Sequence, residues 1–423
     1  MKRISLEVTV KIAAIITFLL LPLAPGIAEA VSDQICTKDS DPSPFVRIDS
    51  ASCGVYKELI GHRTADTGEP ILLRYMVHTP KHAAKGVVVL IAGGLLQTGI
   101  VGDPATGVVT QAGQNFLVRS AQLFAEDGYI AITIHRPEKV MNPLTAEFPD
   151  VGSGAFQWDH YRVVSAKHAY DIVRIVTLEN SANLPLFLAG TSRGSLSIVS
   201  NNMLGNGILI SSPVTIGAVV GDCPPDPTCP LYINHPYERL HPDFVTVPTH
   251  VLAHEADACA GTSPANALAL HNAFVTAGID SRYDAVQGGF PLPGESVCDA
   301  LHFHGFLGQE NKAVKSHTKR MGDILARWRN AFPNNAKPVA APGAMSATTA
   351  YTVDLATLVT DPGDTLTYLL PHLTSWRGNA LTRSGSTVTY TPPATGALID
   401  GFTYVVSDGK GGITASYVVV SGP

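Results

Sequence analysis

Gly190-Thr191-Ser192-Arg193-Gly194 holds one hydroxyl between two glycines, directly after the apolar run Leu184–Ala189. A serine hydroxyl is a weak nucleophile. Chemistry at Ser192 needs an imidazole to take its proton and a carboxylate to orient that imidazole. Both residue types lie downstream. The stretch from Val251 to Cys259 offers Glu255 and Asp257, and the stretch from Cys298 to Gly308 offers His302 and His304. Asp257 is the favoured acid, because a strand should end near His254 and leave Asp257 in the following loop. Glu255 reads as a solvated charge at the strand end. His304 is favoured over His302 because Gly305 follows it and makes the backbone there more permissive. Acyl transfer also needs donors aimed at an oxyanion. The N–H of Arg193, at the start of a helix-compatible segment, is the expected first donor. The second is expected at Gly94 or Leu95, where the paired glycines Gly93 and Gly94 allow close backbone approach.

These groups act together only if strands and helices bring them to one place. Apolar, β-branched runs predict strands over 71–80, 86–94, 129–137, 184–190, 207–213, 248–256 and 281–289. Helical spacing predicts helices over 114–128, 159–180 with Asp159 as N-cap, 263–278 opened by Ser263 and Pro264, and 308–332. Strands alternating with helices imply an α/β class: a mostly parallel sheet covered on both faces. On such a sheet Ser192 sits on a sharp strand-to-helix turn, where small neighbours are required and the hydroxyl is lifted above the strand ends.

Gly-Thr-Ser-Arg-Gly-Ser, His-Glu-Ala-Asp-Ala-Cys and His-Gly-Phe-Leu-Gly occur in that order and on those elements. They resemble the α/β-hydrolase superfamily. The likeness is strongest to exported bacterial members that pair an Asp-Ala-Cys acid loop with a cysteine-bearing His-Gly-Phe loop. It spans roughly residues 55–330 and implies an acyl-serine hydrolase with Ser192, Asp257 and His304 as its triad. It implies no substrate, because this fold carries many chemistries. The loop Ile91–Gly99 lacks the His-Gly-Gly-Gly form of one lipase branch, which leaves the second donor open between Gly94 and Leu95.

The first thirty residues form a basic start, a short apolar core and a small-x-small site at Ala28-Glu29-Ala30, as in a secretory signal. Export, to the periplasm or the medium, fits six cysteines. The expected pairs are Cys36–Cys53 and Cys223–Cys229, each close in sequence, and Cys259–Cys298, which would tie the acid loop to the histidine loop. After Phe332 the chain changes character. Residues 333–345 read as a Pro/Ala/Asn linker, and 346–423 as a small antiparallel β-sandwich that resembles cadherin-like or bacterial Ig-like modules. The catalytic domain is thus expected over 31–332. A shortened acidic turn at Asp361 and Asp364 argues against calcium, and the module reads as a surface- or polymer-binding element or as an inert spacer.

A formal net charge of −6 without a basic cluster excludes nucleic-acid binding as a main role. His250 and His254 lie four apart, and His302 and His304 two apart. The first pair lacks the helical geometry of a zinc site; the second could also ligate a metal, but among fifteen histidines such pairs arise by chance, so no metal and no cofactor is expected. His160 and His168 read as a satisfied or surface pair, and Phe156 and Trp158 as core or acyl-pocket wall. The Pro-rich stretch between Val219 and Phe244 reads as a short clipped cap over an open cleft, suited to bulky or polymeric esters. The expected activity is carboxylic ester hydrolysis through an acyl-serine intermediate. A peptidase or amidase with the same triad is the alternative, and a non-catalytic adhesion protein is the reading from a different class.

Overall fold

Val87 to Ile91 are five consecutive apolar residues, and all five are fully buried. Only a strand covered on both faces can use such a run. The computed structural model describes residues 54–63, 70–94, 98–139, 161–162, 166–214, 245–346, 351–361, 363–392 and 399–422. In it this run is β3 (Gly86–Ile91), near the middle of a large sheet. The other members are β1 (Val55–Arg63), β2 (Pro70–His78), β6 (Tyr129–Ile134), β7 (Glu138–Lys139), β8 (Leu186–Thr191), β9 (Gly207–Ser211), β10 (Thr249–His254) and β11 (Ser281–Val286). A small hairpin, β4 (Val101–Gly102) with β5 (Val109–Gln111), forms a separate two-stranded sheet whose turn bridges Val55 of β1 through Val108.

The strand order is β1-β2-β6-β3-β8-β9-β10-β11, with β7 pairing β2. β2 is antiparallel to both β1 and β6, and every pair from β6 to β11 is parallel. Alternate residues of β3 serve opposite layers. Val87, Val89 and Ile91 pack with helices α3 (Ala166–Glu179), α4 (Gly194–Ser200) and α5 (Pro264–Thr276). Val88 and Leu90 pack with α1 (Phe116–Arg119), α2 (Ala121–Glu126) and α6 (Glu310–Ala331). The helices that follow β3 and β8 therefore lie on opposite faces. In open α/β sheets, ligands bind beyond the carboxyl ends of the strands at such a reversal. This sheet order, with antiparallel β2 and helices on both faces, is the α/β-hydrolase fold.

Three sequence expectations change here. The helix expected over 114–128 is two short helices, because Ser120 leaves helical geometry (φ −102°, ψ 1°) between them. β1 precedes the first strand expected; it pairs along its length with β2 and carries polar Lys57 and Glu58, which dilute its apolar signal. The stretch 333–345 is not a linker. It supplies β12 (Val339–Ala340) and most of β13 (Gly343–Ser346), with Pro338 and Pro342 at strand ends, where a missing N–H is tolerated.

The C-terminal module contains β14 (Thr352–Asp354), β15 (Val359–Thr360), β16 (Thr367–Leu369), β17 (Leu381–Ser384), β18 (Thr387–Tyr390), β19 (Ile399–Ser407) and β20 (Ile413–Ser421). One sheet runs β13-β20-β19-β16, another β14-β18-β17, and β12 pairs β15. All these pairs are antiparallel except β13 with β20. Phe402, Tyr404 and Val406 face the module's own core with Val388, Tyr390 and Val418. Val405 points the other way and joins the apolar cluster of the α/β part. Both parts lie within one compact unit. Among the described residues, no helix is long and apolar enough to cross a membrane.

Candidate active site

Ser192 follows fully buried β8 directly and adopts φ +52°. A non-glycine residue there costs about 1–3 kcal/mol and persists only where its surroundings enforce it. The enforcement is steric. A Cβ on Gly190 would lie 2.4 Å from the Gly194 carbonyl oxygen, and one on Gly194 would lie 2.3 Å from that of Ile91. Gly93 is equally constrained, since a Cβ there would meet the Ser192 Cβ at 2.8 Å. The turn is closed by Ser192 N–H donating to Ser211 O (3.0 Å). The Ser195 N–H and hydroxyl donate to Ser192 O (3.0 and 2.6 Å).

β8, β9 and β10 are parallel neighbours, so their carboxyl-end loops share one edge. β10 ends at His254, as expected, and Asp257 lies buried in the next turn. The Asp257 Oδ2 lies 3.0 Å from His304 Nδ1, while Oδ1 accepts the Cys259 N–H at 2.9 Å. Thr262 completes the arrangement: its hydroxyl donates to Asp257 Oδ2 (3.3 Å) and lies 2.9 Å from His304 Nδ1. With the Thr262 proton on the carboxylate, the Nδ1 proton belongs to the imidazole, and Nε2 is left as the basic nitrogen. The site's two halves converge on the end of β9. Ser211 O accepts from Ser192, and the Ser212 hydroxyl donates to His304 O at 3.3 Å.

His304 occupies a short 3-10 turn, Phe303–Gly305. Gly305 is needed there for a different reason from the one expected. A Cβ would lie 1.9 Å from Ala300 O, so crowding, rather than backbone freedom, demands glycine. The Cys259–Cys298 disulfide joins the acid loop to the histidine loop, with Cα atoms 4.8 Å apart. Arg119 carries no local signal in the sequence. This buried guanidinium pairs with Glu310 at 2.9 Å and donates to Ala300 O (3.1 Å) and to Gly305 O, clamping the histidine turn from helix α1. Thr262 was also missed, having no signature beyond its place in the acid loop.

The other candidates fall elsewhere. Glu255 is exposed and accepts from Gln287 at 2.6 Å. His302 sits edge-on to Phe303, ring centroids 5.2 Å apart, and is not on the carboxylate. His254 donates from Nε2 to Gly288 O (2.7 Å) and accepts the Ala256 N–H at Nδ1 (3.1 Å). Burial lowers its pKa, against the opposing Gly288 carbonyl and Asp257. His250 and His317 meet at 2.9 Å, with Asp284 and Ser211 at the two ends of the row, and burial lowers both imidazoles. His168 is neither satisfied nor at the surface. It is buried against Tyr161, and neither ring nitrogen has a hydrogen-bond partner among the described residues.

Of the expected oxyanion donors, Arg193 caps helix α4 with helical φ and ψ, and Gly94 has φ +55°. No atom of the described residues lies within 4 Å of a Cβ built on Gly94, so its left-handed conformation is what calls for glycine there. Leu95, Cys36, Cys53, Cys223, Cys229, Phe156, Trp158, Asp159, His160, the expected signal (1–30) and the cap (219–244) lie outside the described residues. Among the described residues, Asp361, Asp364 and Asp408 form the one carboxylate cluster with ligand-like spacing, and the Lys410 ammonium pairs with Asp364.

Residues 335–421 match the bacterial Ig domain family. No curated protein matches the chain. Among solved structures, the chain is similar to an acylaminoacyl peptidase of Pyrococcus horikoshii, at 12% identity over 64% of this chain and 41% of that one, with a TM-score of 0.40. A highly thermostable carboxyl esterase of Bacillus coagulans is similar at 12% identity over 64% and 99%, with a TM-score of 0.39. A lipase/esterase of Lactobacillus plantarum is similar at 12% identity over 55% and 89%, with a TM-score of 0.38. By its own strand order and by its family match, the chain joins the α/β-hydrolase fold to a C-terminal bacterial Ig domain.

Proposed function

We propose that this chain is an exported serine hydrolase that cleaves carboxylic esters. Ser192 Oγ attacks the acyl carbon as His304 Nε2 takes its proton, and Asp257 stabilises the imidazolium that forms. The carbonyl oxygen becomes an oxyanion held by the N–H of Arg193 and of Gly94 or Leu95. Collapse breaks the bond to the leaving alcohol, which receives the proton from His304. Water, activated by the same imidazole, then releases the acid and restores Ser192. The observation that carries this reading is the strained φ of Ser192, enforced by three crowded glycines on the strand edge where His304 meets Asp257. An ester leaving group needs less protonation help than an amine, which favours esters over amides.

The test is labelling of the folded protein with a fluorophosphonate, beside Ser192→Ala, followed by turnover of matched aryl esters and anilides. Labelling lost in the variant, with esters turned over faster than anilides, is expected. An unlabelled folded wild type would overturn the serine-hydrolase reading. Faster anilide turnover would move the assignment to an amidase or peptidase.

A further inference from the structure

Arg162 is completely buried, yet it lies behind the loop that carries the second oxyanion donor. Its Nη2 donates to Ala92 O at 3.2 Å and to Gly93 O at 3.4 Å. The segment bearing it is anchored on both sides. Tyr161 donates to Asp171 Oδ2 at 2.7 Å, and the Asn201 amide donates to Arg162 O (3.3 Å) and to Ser197 O (2.9 Å). Asn201 caps helix α4, whose other end is the Ser192 turn. The Arg162 backbone is thus tied to the same helix that presents Ser192, while its guanidinium holds the loop after β3.

A trans peptide is planar, with its C=O and N–H antiparallel. No peptide among the described residues is cis. A Gly93 carbonyl directed at the guanidinium therefore directs the Gly94 N–H the opposite way. Gly93 itself lies against the Ser192 side chain, with Oγ 3.5 Å from the position of a Cβ. Gly94 has an open left-handed backbone and no side chain to hold it. Left alone, the 93–94 peptide plane would be free to rotate. Hydrogen bonding of its carbonyl to a cation also polarises the amide and strengthens its N–H as a donor.

We infer that Arg162 is a positioning residue for the oxyanion site: it holds the peptide plane that presents the Gly94 N–H to the substrate's developing negative charge. The inference rests on the serine-hydrolase reading and selects Gly94 over Leu95 as the second donor. Such a role acts on the transition state and leaves ground-state substrate binding almost unchanged.

The test compares full-length wild type, Arg162→Lys and Arg162→Met by thermal unfolding, fluorophosphonate labelling, kcat and KM on one aryl ester, and inhibition by an aryl boronic acid. The boronic acid adds to the serine and places an oxygen in the oxyanion site. In Arg162→Met, kcat should fall ~100-fold, as when one oxyanion donor is lost, with KM within about threefold of wild type. Boronate affinity should fall in parallel with kcat. In Arg162→Lys, which keeps the charge but not the two-carbonyl reach, the loss should be roughly tenfold at little change in unfolding temperature. Wild-type kcat in a folded Arg162→Lys and Arg162→Met would overturn the assignment. So would a kcat loss that boronate affinity does not follow. Should Arg162→Met not fold, Arg162→Lys decides alone, with wild-type kcat and boronate affinity counting against the role. A wild type that is itself unlabelled would strike the serine-hydrolase reading instead.

Discussion

His168→Phe should make the protein markedly less sensitive to acid. Burial, reinforced by Arg162, His372 and His62, pushes the His168 pKa down to about 3 from an ordinary 6.5. The folded chain therefore keeps this imidazole neutral, while the unfolded chain protonates it below pH 6.5. The sign follows from proton uptake: stability is intact above pH 6.5, falls as pH drops toward 3, and loses nothing further below that. Between pH 7 and pH 5 the unfolded state gains about 0.7 of a proton here and the folded state almost none. Linkage converts this to about 2 kcal/mol of lost stability from one residue. Phenylalanine keeps a flat ring against Tyr161, 4.6 Å away in the native protein, and cannot titrate. Urea unfolding followed by far-ultraviolet circular dichroism at both pH values gives the comparison. Reading the difference between pH 7 and pH 5 within each protein cancels any fixed packing change. The wild type should lose about 2 kcal/mol more than His168→Phe over that interval. Equal losses would mean that the folded protein protonates His168 without penalty, and the burial argument would be wrong.

Two further outcomes test other parts of the structure. Replacing Cys259 and Cys298 by serine opens a loop with a sequence separation of 39. Chain entropy puts the cost at up to about 4 kcal/mol by thermal or urea unfolding. Ester kcat should also fall, because the acid and histidine loops lose their tie; a variant with unchanged kcat would make the bridge purely a matter of stability. Ending the chain at residue 334 removes the module and uncovers Tyr170, which packs on Tyr417 with ring centroids 5.4 Å apart. The truncated protein should unfold at a lower temperature and aggregate more readily, and an unchanged unfolding temperature would show that the catalytic part folds independently of the module.

Residues whose reasons are local were legible in the sequence. The strand before Ser192, the helix after it and the glycines on each side are forced by contacts among close neighbours and the adjoining strand, so the motif and its context carried the information. The meeting of Asp257 with His304 was legible because each follows a strand whose end the apolar pattern marks. Residues whose reasons are distant were not legible. Arg119 meets Gly305 across 186 positions, Thr262 meets His304 across 42, and Arg162 meets Ala92 across 70. Nothing near them in the chain distinguishes a surface arginine or a loop threonine from these buried ones. The misread linker has the same origin. Val339 and Ala340 form a strand only because Val359 and Thr360 return beside them.

The seam between the two parts changes what the module can be. A spacer hung on a linker would present polar faces all round, but β19 is buried on both sides of its pleat. Phe402, Tyr404 and Val406 fill the module, while Val405, with Ile413, Ala415 and Tyr417 of β20, packs into the apolar cluster of the catalytic part. Apolar contact alone tolerates sliding, whereas polar groups in the seam have to find partners. Asn206 donates to Gly411 O at 2.7 Å, Asn183 to Pro338 O at 2.9 Å, and Lys337 to Leu184 O at 3.0 Å. Two of these bonds join residues 183–184 to 337–338 and the third holds Gly411, so a shift of either part would break both points of attachment. His372 lies 3.4 Å from Asn201, the residue that also holds the Arg162 carbonyl. The docked orientation therefore reaches, through one asparagine, the segment that holds the Ala92 and Gly93 carbonyls. Any role the module has toward a surface or polymer is exerted from a fixed position relative to Ser192.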